Sequence, residues 1–180
     1  MNPPKDTIVL CIDEDGLLSV RPYSGSTWAK YGYPKRIRAT YSRTENVVQV
    51  VAAFNPHEGT GFAKCYDTKN FETFLDFLTE VEKKYPETKI HIVWDNLSAH
   101  KKAQRIWNIY NPGSLFSFHY TPSNASWLNL IEPWFGTINR RALNNSDYQT
   151  REHLIIALYQ AIFYSNAHSK LNKWKKRDVS

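Results

Sequence analysis

The sequence predicts an α/β domain, a five-stranded mixed sheet flanked by helices, and three observations carry that reading. The run Ile90–Trp94 within KIHIVWDNLSAH is mostly β-branched or aromatic and lacks a helical period. Such a run marks a short strand buried on both faces in the middle of a partly parallel sheet. Apolar residues recur at helical spacing over Asn70–Tyr85, Leu130–Leu143 and Thr150–Ser165. Finally, 180 residues with 42% apolar and 14% aromatic content suffice to bury one real core.

Taken in order, Thr7–Ile12 is an apolar first strand. Asp13-Glu14-Asp15-Gly16 then predicts a tight turn, with Leu17–Arg21 returning as an antiparallel second strand. The fragment D-x-D-G is shared with calcium loops, but the spaced oxygen ligands and closing Glu of such a loop do not follow, which excludes calcium. Pro22–Thr44 is polar, aromatic and basic, broken by Gly25, Gly32 and Pro34, and reads as a long loop of the functional kind. Val47–Phe54 is a third strand, Asn55–Gly61 a turn, and Phe62–Tyr66 a short additional strand.

The helix Asn70–Tyr85 gathers Phe71, Phe74, Leu75, Leu78 and Val81 on one face and stops before Pro86. The central strand ends in Asp95-Asn96, after which Ser98 is expected to cap a helix over Ala99–Ile109. Asn111-Pro112-Gly113 turns the chain into a fifth main strand, Leu115–Tyr120. Thr121–Trp127 is a loop ahead of the helix Leu130–Leu143, and Thr150 caps the final helix. The expected organisation is one domain over 1–180, with a core at about 7–166 and a basic tail over 167–180. This order of elements is that of the RNase H-like fold, which alone fixes no function.

Net charge is +6 and the isoelectric point about 9.2, pointing to a polyanionic partner. The cations cluster at Lys35, Arg36 and Arg38, at Lys101, Lys102 and Arg105, at Arg140 and Arg141, and at Lys173 to Arg177. Cys11 and Cys65 sit in strand-like runs outside any C-x-x-C pair and read as buried free thiols. The opening MNPPKDT lacks the apolar core of a signal peptide, and no run approaches a membrane span. The expectation is a soluble cytoplasmic protein, nucleoid-associated if prokaryotic, with no membrane partner.

Three acids hold special places: Asp13 at the end of the first strand, Asp95 at the end of the central strand, and Glu132 near the start of the next-to-last helix. In an RNase H-like arrangement those strands are neighbours, and the later helix can bring Glu132 to their carboxyl ends. Three ionised carboxylates within about 4 Å repel by roughly 4 kcal/mol per pair at an effective dielectric near 20. Such a cluster holds either protons or cations, and an all-oxygen donor set suits magnesium or manganese. Two such ions about 3.5–4 Å apart serve phosphodiester cleavage. Alternatives stay open here. A one-residue register change would make Glu14 or Asp15 the metal-facing acid; Asp95 could merely turn the strand end; and Asn129-x-x-Glu132 could be only a helix-start box.

The strings CIDEDG, VWDNLSAH and HYTPSNASWLNLIEPWFGTINRRAL resemble the three acidic motifs of DDE transposases, in the insertion-sequence branch of the Tc/mariner superfamily. WAKYGYP, from Trp28, is similar to that family's W-x-x-x-G segment, and Thr150–Asn166 to its closing helix. The resemblance covers about Ile8–Asn166. It implies an integrase-type, RNase H-like core in which Asp13, Asp95 and Glu132 bind two Mg2+ (or Mn2+) ions and transfer phosphoryl groups on DNA. Water would cut the element's ends, and the freed 3′-hydroxyl would attack target DNA. The resemblance further implies that Asn96 and His100 support the metal ligands or contact phosphate; His100 could otherwise lie on the first turn of a surface helix. Lys101, Arg140 and Arg141 are the candidate DNA contacts, unless the two arginines pair with an acid such as Asp147 or Glu152.

Pro133 departs from a plain helix start, because proline disfavours a helical conformation in the residue before it. Glu132 could thus stand ahead of the helix with Pro133 at its first position. The amino-terminal helix-turn-helix segments usual in the family have no counterpart ahead of the first strand. The expected partners are transposon-end and target DNA, and a homodimer is compatible with the resemblance. Two rival readings are another RNase H-like nuclease or resolvase, and a non-catalytic DNA-binding remnant.

Overall fold

A computed structural model describes residues 6–34, 36–38, 47–122, 125 and 128–169. Lys35, Trp127 and the basic tail from Lys170 lie outside the described residues, as does part of the Pro22–Thr44 loop. The strands are β1 (Thr7–Ser19), β2 (Val47–Asn55), β3 (Thr60–Tyr66), β4 (Lys89–Trp94) and β5 (Phe116–Tyr120). The helices are α1 (Phe71–Lys84), α2 (Ser98–Tyr110), α3 (Ile131–Leu143) and α4 (Arg151–Ala167). The sheet order is β3-β2-β1-β4-β5, antiparallel from β3 to β1 and parallel from β1 through β4 to β5.

The sheet is the middle of three layers. On one face Leu10, Ile12, Ile90, Ile92 and Trp94 pack with Phe74, Phe77 and Leu78 of α1 and with Ala103 and Trp107 of α2. On the other, Cys11, Val48, Val50, Ala52 and Phe54 pack with Trp134 and Ile138 of α3 and with Leu154 and Leu158 of α4. Central strands buried on both faces read as continuous apolar runs for this reason. Cys11 is buried, and burial pushes its thiol up to about 11; Cys65 is half-buried, and both are free.

The structure corrects the expected hairpin at Asp13–Gly16. β1 continues to Ser19 as one strand, and its register against β2 slips between Asp15 and Leu18. One extra residue there makes a bulge that turns Leu17 outward, so Asp-Gly supplies a kink in a strand where a hairpin was expected. Long-range pairing with β2 outweighs the local turn preference. The fifth strand of the sheet is instead β3, the stretch read as a short addition.

A second correction concerns the start of α2. Ser98 is its first helical residue; the cap position is Leu97, which has no side-chain cap, and the Leu97 amide donates to Asp95 Oδ1 at 3.3 Å. Thr150 does cap α4, its hydroxyl accepting from the His153 amide. At the far end of α4, the Asn166 amide pairs with both polar atoms of the Gly61 backbone, at 2.9 and 2.7 Å. A Cβ on Gly61 would stand 2.7 Å from the Trp134 ring, so only glycine permits this approach. Among the described residues no helix is long and apolar enough to cross a membrane.

Candidate active site

Period-two alternation along β1 decides what each acid of CIDEDG faces. Asp13 and Asp15 follow Cys11 onto the α3 side of the sheet, and Glu14 follows Leu10 and Ile12 onto the α1–α2 side. The parallel pairing of Cys11 with Val93 carries Asp13 and Asp95 to the same end of neighbouring strands.

Asp13 is only 5% exposed. Asn129, wholly buried just before α3, donates to Asp13 Oδ2 at 3.2 Å and to the Ile12 carbonyl at 3.0 Å. The Glu14 amide donates to the other oxygen, Oδ1. Burial first, then the charges of Glu14 and Asp95, push the Asp13 carboxyl up to about 7 despite that amide. An acid so placed holds a proton near neutrality or trades it for a cation. Asp15 receives a 2.6 Å hydrogen bond from Asn139 of α3; burial raises its carboxyl above the usual range, and the charge of Glu132 adds to that.

Glu132 is exposed in the first turn of α3, and Pro133 follows it inside the helix. The third position of a helix has no intrahelical partner for its N–H, so proline fits there, and Glu132 sits within the helix and not ahead of it. The structure therefore brings Asp13 and Asp95 to the same end of neighbouring parallel strands, and Asp15 within reach of the charge of Glu132. Among the described residues, no three of His, Cys, Asp and Glu stand close enough to hold one ion as they lie. The oxygen-only donors, and a buried carboxyl held near neutrality, nonetheless fit a hard divalent cation.

On the opposite face Glu14 is spoken for. Its side chain is 7% exposed, Lys69 pairs with Oε1, and His100 Nε2 stands 3.4 Å from Oε2. Burial opposes its ionisation, but His100 and Lys69 outweigh that and hold the carboxyl below its usual range. His100 is fully buried, with Nδ1 2.6 Å from Asp95 Oδ1. Nδ1 is within hydrogen-bond reach of Asp95, while Nε2 faces Glu14 at ion-pair distance without a hydrogen bond. Burial would lower the imidazole's pKa, but Glu14 and then Asp95 raise it.

These positions correct two readings. Glu14 cannot be the metal-facing acid beside Asp13, because it points to the opposite face of the sheet, toward Lys69 and His100. Nor can His100 contact DNA or lie on a helix surface, because α2 turns its first-turn imidazole inward, stacked on Trp94 at 4.8 Å and edge-on to Phe74 at 4.3 Å.

Asn96 and Lys101 are exposed beside the Asp95 turn. Arg140 is exposed and donates to Thr137 Oγ1 at 3.3 Å. Arg141, nine residues beyond Glu132 at about 100° per residue, lies on the opposite side of α3, over the ring of Tyr164. Neither acid named as its alternative partner engages it: Asp147 pairs with Arg38 at 2.6 Å, and Glu152 begins the separate helix α4. Sequence reasoning took Asn129 for a helix-start residue and passed over Asn139, Lys69 and the role of Glu14. The one available signal was a polar residue, Asn129, three places before Glu132.

The profile described as DDE superfamily endonuclease matches residues 8–155. The chain belongs to that superfamily. Among solved structures this DDE endonuclease domain is similar to the Mos1 transposase paired-end complex with left transposon end. The identity there is 12%, covering 90% of this chain and 56% of that chain, with a TM-score of 0.54. It is also similar to the Mos1 mariner paired end complex with Mn, at 13% identity, 88% and 52% coverage and a TM-score of 0.54. The simian T-cell lymphotropic virus intasome in complex with PP2A regulatory subunit B56 gamma gives 16% identity, 92% and 62% coverage and a TM-score of 0.50. At these identities the likeness is one of fold, the RNase H-like core of transposases and integrases. The DDE domain spans about half the length of the Mos1 chains it matches. No curated protein matches it.

Proposed function

We propose that this DDE endonuclease domain is a transposase catalytic domain that cleaves and transfers DNA strands, with Asp13, Asp95 and Glu132 as its reacting-site carboxylates. The observation that carries the proposal is the buried Asp13 carboxyl, pushed up to about 7 beside Asp95 at the ends of two parallel strands. Two divalent cations, Mg2+ or Mn2+, would supply charge stabilisation for the attacking and leaving oxygens when bound.

The chain's own residues do the rest. Asn129 fixes the orientation of Asp13, and His100 fixes one oxygen of Asp95. Glu132, exposed at the head of α3, is free to swing toward the same edge, where Asp15 already faces it. Asn96, Lys101, Arg140 and Arg141 supply contacts to the phosphate backbone of DNA. Such contacts read no sequence, so duplex binding is weak, sequence-indifferent and salt-dependent, with a slope of about −0.9 per phosphate neutralised.

Nicking of supercoiled plasmid at low salt, with Mn2+ against chelator, tests the reading. Wild type should nick only with the metal, and Asp13→Asn, Asp95→Asn and Glu132→Gln should each abolish nicking while remaining folded. Metal-independent nicking, or nicking that survives Asp13→Asn, would sink the assignment. A folded wild type inert with Mn2+ would favour a non-catalytic DNA-binding module.

A further inference from the structure

Behind the proposed metal edge, the α1–α2 core contains a run of charged side chains that apolar packing does not require. Lys69 meets Glu14, Glu14 faces His100, and His100 holds Asp95. Its members come from β1, from the residues ahead of α1, from α2 and from the end of β4. A buried charge network of this kind is weak as a source of stability, since apolar residues of the same volume commonly do as well. Its geometry has a direction, however. The imidazole plane is fixed by stacking on Trp94, parallel to within 4°, and by the edge of Phe74. With the ring so held, Nδ1 faces Asp95 at 2.6 Å and Nε2 faces Glu14 at an ion-pair distance of 3.4 Å. Among the described residues, the contacts on the Asp95 carboxylate from His100 and from the Leu97 amide both fall on Oδ1, and neither falls on Oδ2.

We propose that Glu14 is a positioning residue: through His100 it locks the Asp95 carboxylate so that Oδ2 faces the Asp13 edge, while Lys69 offsets its charge. The proposal rests on the metal-site reading above and adds to it a role for the acid next to Asp13. Adjacent residues of β1 thus serve one site from opposite faces of the sheet, Asp13 as a ligand and Glu14 from behind. Partners of metal ligands typically contribute about 10–100-fold to metal affinity, which sets the size of effect expected.

The test titrates Mn2+ into the full chain by electron paramagnetic resonance, which reads binding without turnover, and measures plasmid nicking and thermal unfolding on the same samples. Wild type should bind Mn2+ and Asp13→Asn should not. Glu14→Ala should weaken Mn2+ binding about tenfold and lower the nicking rate at saturating metal. Glu14→Gln, which keeps a hydrogen-bonding oxygen for His100, should recover part of both. Lys69→Met, at an exposed position outside the helices and strands, provides a second variant if Glu14→Ala does not fold, and should weaken binding several-fold. Nitrogen NMR of the metal-free protein should show the His100 ring resonances move in Glu14→Gln. If wild type binds Mn2+ and Asp13→Asn does not, yet Lys69→Met and any Glu14→Ala that folds bind and nick like wild type, the positioning role is overturned and the metal site stands. Failure of wild type itself to bind Mn2+ overturns the metal site and this inference with it.

Discussion

The two faces of β1 give neighbouring carboxylates opposite fates. On the α3 face Asp13 and Asp15 receive amide and asparagine donors but, among the described residues, no salt bridge from a lysine or arginine, and both carboxyls are pushed upward. On the α1–α2 face the Glu14 side chain is also largely buried, yet Lys69 and His100 pull its carboxyl downward. Burial alone therefore does not separate a ligand from a scaffold residue here. What separates them is whether the chain supplies the counter-charge itself or leaves it to be brought from solution. That difference is what a metal-binding edge requires of its two sides.

The largest expected effect breaks the comparison outright. Asp13→Asn places a neutral group on the open face and should abolish Mn2+-dependent nicking, with circular dichroism confirming the fold. Retained nicking would mean that Asp15, on the same face, is the acid that matters.

A second measurement sharpens it through pH. The folded Asp13 carboxyl, raised to about 7 from its ordinary 3.8, keeps a proton that the unfolded chain releases. Its contribution to stability is thus lost as pH rises from about 4 to 7, by up to about 4 kcal/mol at 1.36 kcal/mol per pKa unit. Glu14 runs the other way, since a depressed carboxyl contributes above its unfolded pKa and loses that as pH falls. Urea unfolding of metal-free wild type against Asp13→Asn isolates the first contribution. The variant should be the more stable at pH 8, and the gap should close by pH 4. A gap independent of pH would contradict the raised carboxyl.

Away from both faces, Asn166→Ala removes the paired hydrogen bonds that tie α4 to β3. It should cost about 1–3 kcal/mol by urea unfolding, because the Gly61 amide and carbonyl lose their partner. Mn2+ affinity should be unchanged. Weakened Mn2+ binding in that variant would show that metal affinity merely tracks overall stability, blurring the contrast between the faces.

The smallest effect belongs to Arg141, which lies over Tyr164 on the side of α3 away from Glu132. Arg141→Ala should weaken binding of all DNA sequences alike and flatten the salt slope by roughly one unit. Stability should fall by no more than about 1 kcal/mol, the worth of an exposed cation–π contact. Unchanged DNA affinity with a clear loss of stability would assign the residue to the α3–α4 packing instead.

Local pattern was enough for much of this molecule. The apolar faces at Phe74–Leu78 and Leu154–Leu158, and the cap at Thr150, follow from neighbours a few residues apart. Period-two alternation separates Asp13 and Asp15 from Glu14 only once CIDEDG is known to be strand and not the turn it reads as. Where the local signal and the pairing disagreed, pairing won: Asp15-Gly16 reads as a turn, but hydrogen bonding to β2 on both sides draws it into one bulged strand. Only the tertiary structure decided which face meets which helices, and hence that Glu14 faces Lys69 and His100 while Asp13 faces Asn129. Those contacts join residues 55 to 116 positions apart in the chain, as the Lys69–Glu14 and Asn129–Asp13 pairs do. The helical period around His100 is compatible with an inward or an outward ring, and it is the closing of Trp94 and Phe74 around the imidazole that turns it in.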